Sequence, residues 1–122
     1  MRILVFPLLL LPTNAQAQSA KSLLKLEPET RLEQICDIEA MKQIKKDMRV
    51  PVDRAKSNVS ETPVHKAHTV TASGGAYRSK GKWYRLSFVC SGTPDHTRVT
   101  SFSYKTGAEI PESKWEDLGL WR

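Results

Sequence analysis

Cys36 and Cys90 are the only two cysteines in the chain, and how they are used constrains the fold more than any other feature. Two thiols exclude a disulfide-dense miniprotein and a zinc site built from four thiolates. They form no CxxC pair and have no neighbouring thiol for exchange. Their meaning therefore depends on compartment, because oxidising compartments allow a permanent bridge and the cytosol keeps thiols reduced.

The N-terminus supplies the compartment. Met1-Arg2 gives a positive start, residues 3–11 are apolar except for Pro7, and Pro12-Thr13-Asn14 breaks the run. Ala15-Gln16-Ala17 then offers the small-x-small pattern a signal peptidase reads. The apolar run is about half the ~20 residues that span a bilayer, and no second such run follows. Residues 1–17 are therefore expected to be a removable signal peptide, with the mature chain starting near Gln18, no transmembrane segment, and a periplasmic or secreted location. Under export, Cys36 and Cys90 are expected to form a structural disulfide. Closing a loop of about 55 residues stabilises by roughly 4 kcal/mol in the chain-entropy model. That is a large share of the ~5–15 kcal/mol that holds an ordinary domain together.

The 122 residues suffice for one domain with one core, not for two. Residues 18–25 are read as a flexible tail and 26–122 as a single α+β domain. Thr30-Arg31-Leu32-Glu33 fits a capping box, with a helix running from it to about Lys46 and barred by Pro51. Leu32, Ile35, Cys36 and Ala40 form one face of this helix and Met41, Ile44 and Met48 another, so cover on more than one side is expected. Residues 50–66 read as loop with one short strand near Val52. Residues 67–72 are β-rich, and Gly74-Gly75 is expected to end that strand.

The C-terminal half reads as antiparallel sheet. Ala76-Tyr77-Arg78 and the strand from Trp83 to Cys90 flank Ser79-Lys80-Gly81-Lys82, a hairpin turn. Tyr84, Leu86, Phe88 and Cys90 share one face of the long strand; Trp83, Arg85, Ser87 and Val89 share the other. A further strand runs from Arg98 to Lys105. Since Cys90 lies on the more apolar face and Cys36 on the helix, the bridge predicts that the helix covers Tyr84, Leu86 and Phe88. After Pro111 one or two helical turns are expected, stopped at Gly119, with Trp115, Leu118, Leu120 and Trp121 docking on the sheet. The predicted fold is thus an N-terminal helix, disulfide-linked to and packed on a small antiparallel sheet, plus a short C-terminal helix.

Several stretches carry a family likeness. They are Leu26-Glu27-Pro28, Arg31-Leu32-Glu33-Gln34, Cys36-Asp37, Glu39-Ala40-Met41, the run from Ala76 to Phe88, Cys90, Pro94-Asp95-His96, Ser101-Phe102-Ser103-Tyr104, and Ile110-Pro111 with Trp115. In this order they resemble a small exported alphaproteobacterial family catalogued as domain of unknown function 930. The resemblance runs from about Leu26 to Leu120 and implies one small exported domain with no assigned activity.

Chemistry-bearing residues are few. His65 and His68 lie three apart in loop or strand, where odd spacing separates their directions, so no metal site and no cofactor are expected. Asp95-His96 with Ser91, Thr93 or Ser101 lacks a nucleophile elbow, and Pro94-Asp95 is ordinary turn chemistry. Glu33 and Asp37 share a helix face but read as solvated carboxylates. The charge distribution says more. The chain carries +6, or +5 without Arg2, and eleven Lys and Arg residues fall between Lys42 and Arg85. Arg78, Lys80, Lys82 and Arg85 converge on one hairpin beside Trp83 and Tyr84. Interleaved cations and aromatics on a sheet can bind nucleic acid, but export removes that partner. An anionic envelope component or an acidic protein takes its place. The sequence thus points to a non-enzymatic binding module with Arg78, Lys80, Lys82, Trp83 and Arg85 as its contact surface. An envelope hydrolase or its accessory subunit is the alternative. A lysozyme-type inhibitor suits the size, but its usually basic target would repel a basic chain.

Overall fold

Pro28 opens the long helix α1, Pro28–Met48. A proline is favoured at this first position because its fixed φ is helical and its missing N–H would have no partner there. The computed structural model describes residues 21–122. The expected signal peptide, residues 1–17, lies outside the described residues, as does the first part of the expected tail.

The expected capping box does not form. The helix starts three residues earlier, the N-cap is Glu27 with no side-chain cap, and Thr30 stands exposed inside the first turn. The Glu33 carboxylate reaches His65 instead of the backbone. Arg49 closes the helix in the left-handed region at φ 55°, donating its N–H to the Lys45 carbonyl. In place of a loose tail, residues 21–24 form a helical turn. Arg31 gathers it by donating to the carbonyls of Leu23 at 3.0 Å and Leu26 at 2.8 Å, and Leu23 packs against the core.

Five antiparallel strands follow: β1 (Arg54–Lys56), β2 (Val64–Lys66), β3 (Thr69–Ser79), β4 (Lys82–Gly92) and β5 (Val99–Glu109). Their order is β1-β3-β4-β5, with β2 pairing the other half of the β3 edge. The short strand expected near Val52 begins at Arg54, and Val52 itself is buried in the core. Gly74-Gly75 does not end the strand; β3 runs through it with a bulge between Ala72 and Gly75. A Cβ on Gly75 would stand 2.6 Å from the Lys56 carbonyl oxygen and 3.1 Å from that of Leu86. The glycine is there because backbone presses on it from both sides, not because the strand stops. The β3–β4 hairpin turns on Lys80 and Gly81, at φ 53° and 76°, the conformation of a two-residue type I′ turn.

The alternation along β4 distributes its side chains as expected. Leu86, Phe88 and Cys90 are buried toward α1, Tyr84 partly so, together with Val70, Ala72 and Tyr77 of β3. From the helix come Leu32, Ile35, Cys36, Ala40 and Ile44. Cys36 and Cys90 are joined, with Cα atoms 6.1 Å apart and both residues fully buried. The helix is covered on one side only, and Ile38 and Met48 remain 48% and 44% exposed. On the opposite, outer face a second cluster forms from Ala76, Trp83, Ile110, Trp115 and Leu120. A 3-10 turn (Glu112–Lys114) and the short helix α2 (Trp115–Leu118), stopped by Gly119 at φ 72°, bring the C-terminal segment over the hairpin end of the sheet. Trp115 Nε1 donates to the Ile110 carbonyl at 2.9 Å and Trp83 Nε1 to that of Trp121 at 2.7 Å. Both indoles are thereby satisfied as they leave water.

Because both sulfurs sit inside the core, dithiothreitol without denaturant should leave the bridge intact. The double substitution Cys36→Ala/Cys90→Ala should lower unfolding free energy by about 4 kcal/mol, the value of a ~55-residue loop. Urea titrations of the oxidised protein and the double variant measure this; coincident midpoints would refute it.

Candidate binding face

Arg78 and Trp83 face each other across β3 and β4 and point to the outer side of the sheet. Trp83 is fully buried and Arg78 is 8% exposed. Arg78 donates through Nε to Asp53 Oδ1 at 2.9 Å and through Nη2 to Oδ2 at 2.8 Å, a bidentate pair. Its guanidinium carbon lies 5.6 Å from the Trp83 ring centre and 5.7 Å from that of Trp121. The Arg78 hydrogen bonds hold the Asp53 carboxyl below the usual carboxylate range. Lys56 completes the arrangement, with Nζ 5.1 Å from the centre of the Trp121 ring and donating to the Gly119 carbonyl at 3.3 Å. The expected exposed surface of Arg78 and Trp83 is therefore corrected. The C-terminal segment lies over both, and they anchor it. Lys80, Lys82 and Arg85 are exposed, as a contact surface requires.

Beyond this cover the outer face of the sheet is bare. In register across it stand Thr71, Val89 and Ser103; Ser87 and Lys105; and Ser91 and Ser101. Thr69 and Ser91 share a hydroxyl–hydroxyl bond of 2.7 Å. Two adjoining open depressions mark the face. One, of about 280 Å³, is lined by Thr71, Ser73, Ser87, Val89, Ser103 and Lys105 among others. A smaller one, of about 120 Å³, shares Ser73, Ser87 and Lys105 and adds Arg85 and Thr106. No residue lining either depression is acidic. Each hydroxyl can donate and accept a hydrogen bond, and the two cations only donate. The face can thus receive a polyhydroxylated or anionic ligand along its length. The alternation of β4 and β5 places Lys105 and the hydroxyl rows on one side, but no sequence motif marks them as a site.

His65 and His96 are drawn into the structure, and His68 lies exposed in the turn between β2 and β3. His96 is 6% exposed at φ 59°, and its Nδ1 donates to the Pro28 carbonyl at 2.7 Å. Its Nε2 lies 3.0 Å from His68 Nδ1, so in the neutral pair His68 is the donor. Asp95 does not orient His96. Its carboxylate accepts from Thr93 and Thr97, which hold its pKa down to about 2, and Arg31 donates to its carbonyl. His65 Nε2 lies 2.5 Å from Glu33 Oε2, and its Nδ1 is buried without a partner. Among the described residues no group of three or more His, Cys, Asp and Glu is placed to hold a metal ion.

Asp37, expected to be solvated, has a buried Oδ1 without a hydrogen-bond partner. Burial pushes its pKa up from 3.8 to about 8; nearby Glu33 adds to this, while Ser57 and Lys56 oppose it. Between those two values the folded protein holds a proton that the unfolded chain releases. Stability contributed by this group is therefore lost as the pH rises from about 4 toward 8. Asp37→Asn should match the wild type near pH 4 and melt at a higher temperature at pH 8. Thermal melts across this range check it; a constant difference between the two curves would refute it.

The arrangement just described lies in a recognised family region. Comparison with curated proteins and with solved structures finds no match. The family model described as Domain of Unknown Function (DUF930) matches residues 23–120, from the turn gathered by Arg31 to the docked C-terminal segment, and the chain belongs to that family.

Proposed function

We propose that the protein is an exported, non-enzymatic binding module of the cell envelope. It contacts an anionic, polyhydroxylated envelope component through the outer face of its sheet. Lys80 and Lys82 stand at the hairpin, and Arg85 and Lys105 line the depressions beside it. The observation that carries this reading is the lining of that face, where hydroxyls surround two cations and no acidic residue intervenes. Open, shallow depressions suit a polymer or an extended surface better than a small molecule, which calls for an enclosing pocket. Export is supported by the Ala15-Gln16-Ala17 pattern behind the apolar run and by the buried Cys36–Cys90 bridge, since such bridges belong to oxidising compartments. In this reading residues 1–17 are a signal peptide and the location is the periplasm or the exterior.

Dextran sulfate and neutral dextran are suitable probes, because they share a hydroxylated backbone and differ in charge. The wild type should bind dextran sulfate with an affinity that falls as salt rises, since exposed charges are screened over about 8 Å at physiological ionic strength. Lys80→Gln/Lys82→Gln/Arg85→Gln should weaken binding about tenfold and flatten the salt dependence. Thermal stability should be unchanged, because exposed charges contribute within about ±0.5 kcal/mol. A triple variant with wild-type affinity and salt slope would remove this surface from consideration.

A further inference from the structure

We propose that the outward face of α1 lays the protein on an anionic lipid surface. Successive helical residues advance by about 100° around the axis, so a face is read from positions three, four and seven apart. Opposite the buried stripe of α1 this places Ile38, Lys42, Lys45 and Met48, with Met41 at the edge, half-buried against the core. Lys46 stands at one margin, and the exposed Arg49 cap continues the face beyond the last turn. Ile38 is 48% and Met48 44% exposed, large apolar side chains left in water on a helix whose other side is fully used. Ile38, Met41, Lys42, Lys45 and Lys46 line an open depression of about 380 Å³.

The acidic residues of the helix do not share this face. Glu33 meets His65, Glu39 accepts from Gln43, and Asp47 accepts from the Tyr104 hydroxyl. Asp37 lies against Ser57. Among the described residues no ion pair engages Lys42, Lys45, Lys46 or Arg49. Four unneutralised cations beside exposed isoleucine and methionine are the two halves of interfacial binding. Apolar side chains enter the boundary between headgroups and acyl chains, while lysine stems lie along it and carry their ammonium groups to the phosphates. A bilayer rich in anionic headgroups uses both the cations and the apolar side chains. The helix and the hydroxyl-rich sheet face lie on opposite sides of the sheet. A protein resting on α1 therefore turns its outer face away from the bilayer, and the two surfaces can be occupied together.

Co-sedimentation of the processed protein with vesicles tests this, comparing equal mixtures of phosphatidylglycerol and phosphatidylcholine with phosphatidylcholine alone. Binding should require phosphatidylglycerol and weaken with salt. Each basic residue near such a surface contributes roughly fivefold, so Lys42→Gln/Lys45→Gln/Lys46→Gln should lose about a hundredfold in partitioning. Ile38→Ser keeps every charge and should weaken binding most visibly in high salt, where only the apolar contribution remains. Lys80→Gln/Lys82→Gln/Arg85→Gln should bind the vesicles as wild type does, which separates this anchor from the sheet-face reading. Equal binding to neutral vesicles or wild-type partitioning of the lysine variant would overturn the proposal. So would an Ile38→Ser variant that matches wild type in high salt, which would leave charge attraction to acidic partners as the only role of the helix. None of these substitutions touches the buried stripe, so far-UV circular dichroism should match throughout.

Discussion

The covalent contact between Cys36 and Cys90 fixes the one relation on which the rest of the structure depends, the position of α1 over the middle of the sheet. The helix offers only Leu32, Ile35, Cys36, Ala40 and Ile44 to the core across its 21 residues. Burying Leu32, Ile35 and Ile44 contributes about 1.5–3 kcal/mol each, and the bridge adds about 4 kcal/mol while fixing where on the sheet the helix sits. The bridge holds α1 at β4, the central strand that pairs with both β3 and β5. Arg31 and the pair of His96 with Pro28 then tie the β4–β5 turn to the start of the helix. The covalent link therefore sits midway between polar ties at the helix N-terminus and the Tyr104–Asp47 bond near its C-terminus.

The sheet is used differently on its two sides. Toward α1 it is an ordinary apolar layer. Away from α1 it is half covered, by a segment that docks through Trp115, Ile110 and Leu120, and half bare, with serine and threonine in rows. Arg78 marks the boundary. Held by Asp53 and placed against Trp83 and Trp121, it lets a charged group lie under the cover without losing all its hydrogen bonds, although its Nη1 is left without a partner. A buried charge is tolerated only with such pairing.

The legible parts of this fold were those specified by local pattern. Period-two alternation assigned Leu86, Phe88 and Cys90 to one side, and the two cysteines then oriented the helix. The turn chemistry of Lys80-Gly81 and of Pro111 was equally local. What was misread depended on partners far along the chain. Alternation puts Trp83 on the correct side, but its burial depends on a cover that arrives from residues beyond Ile110. The docking of those residues on the sheet was expected, but nothing local connected it to Trp83. Arg78 and Asp53 are 25 residues apart, His65 and Glu33 are 32 apart, and His68 and His96 are 28 apart, so no spacing rule brings them together. Glycine commonly marks turns, but Gly74-Gly75 instead admits two neighbouring backbones within β3. The capping box does not form because Pro28 supplies an equally good start three residues earlier.

The three tryptophans of the chain, Trp83, Trp115 and Trp121, all lie on the outer side of the sheet, and none packs in the cluster beneath the helix. Beneath the helix the aromatic residues are tyrosine and phenylalanine, with Tyr77 and Tyr84 stacked at 5.2 Å. The protein thus carries a separate optical label on each side. Indole emission reports the seating of the C-terminal segment, and tyrosine absorbance reports the packing of the helix, so partial opening on one side can be told from global unfolding without adding a dye.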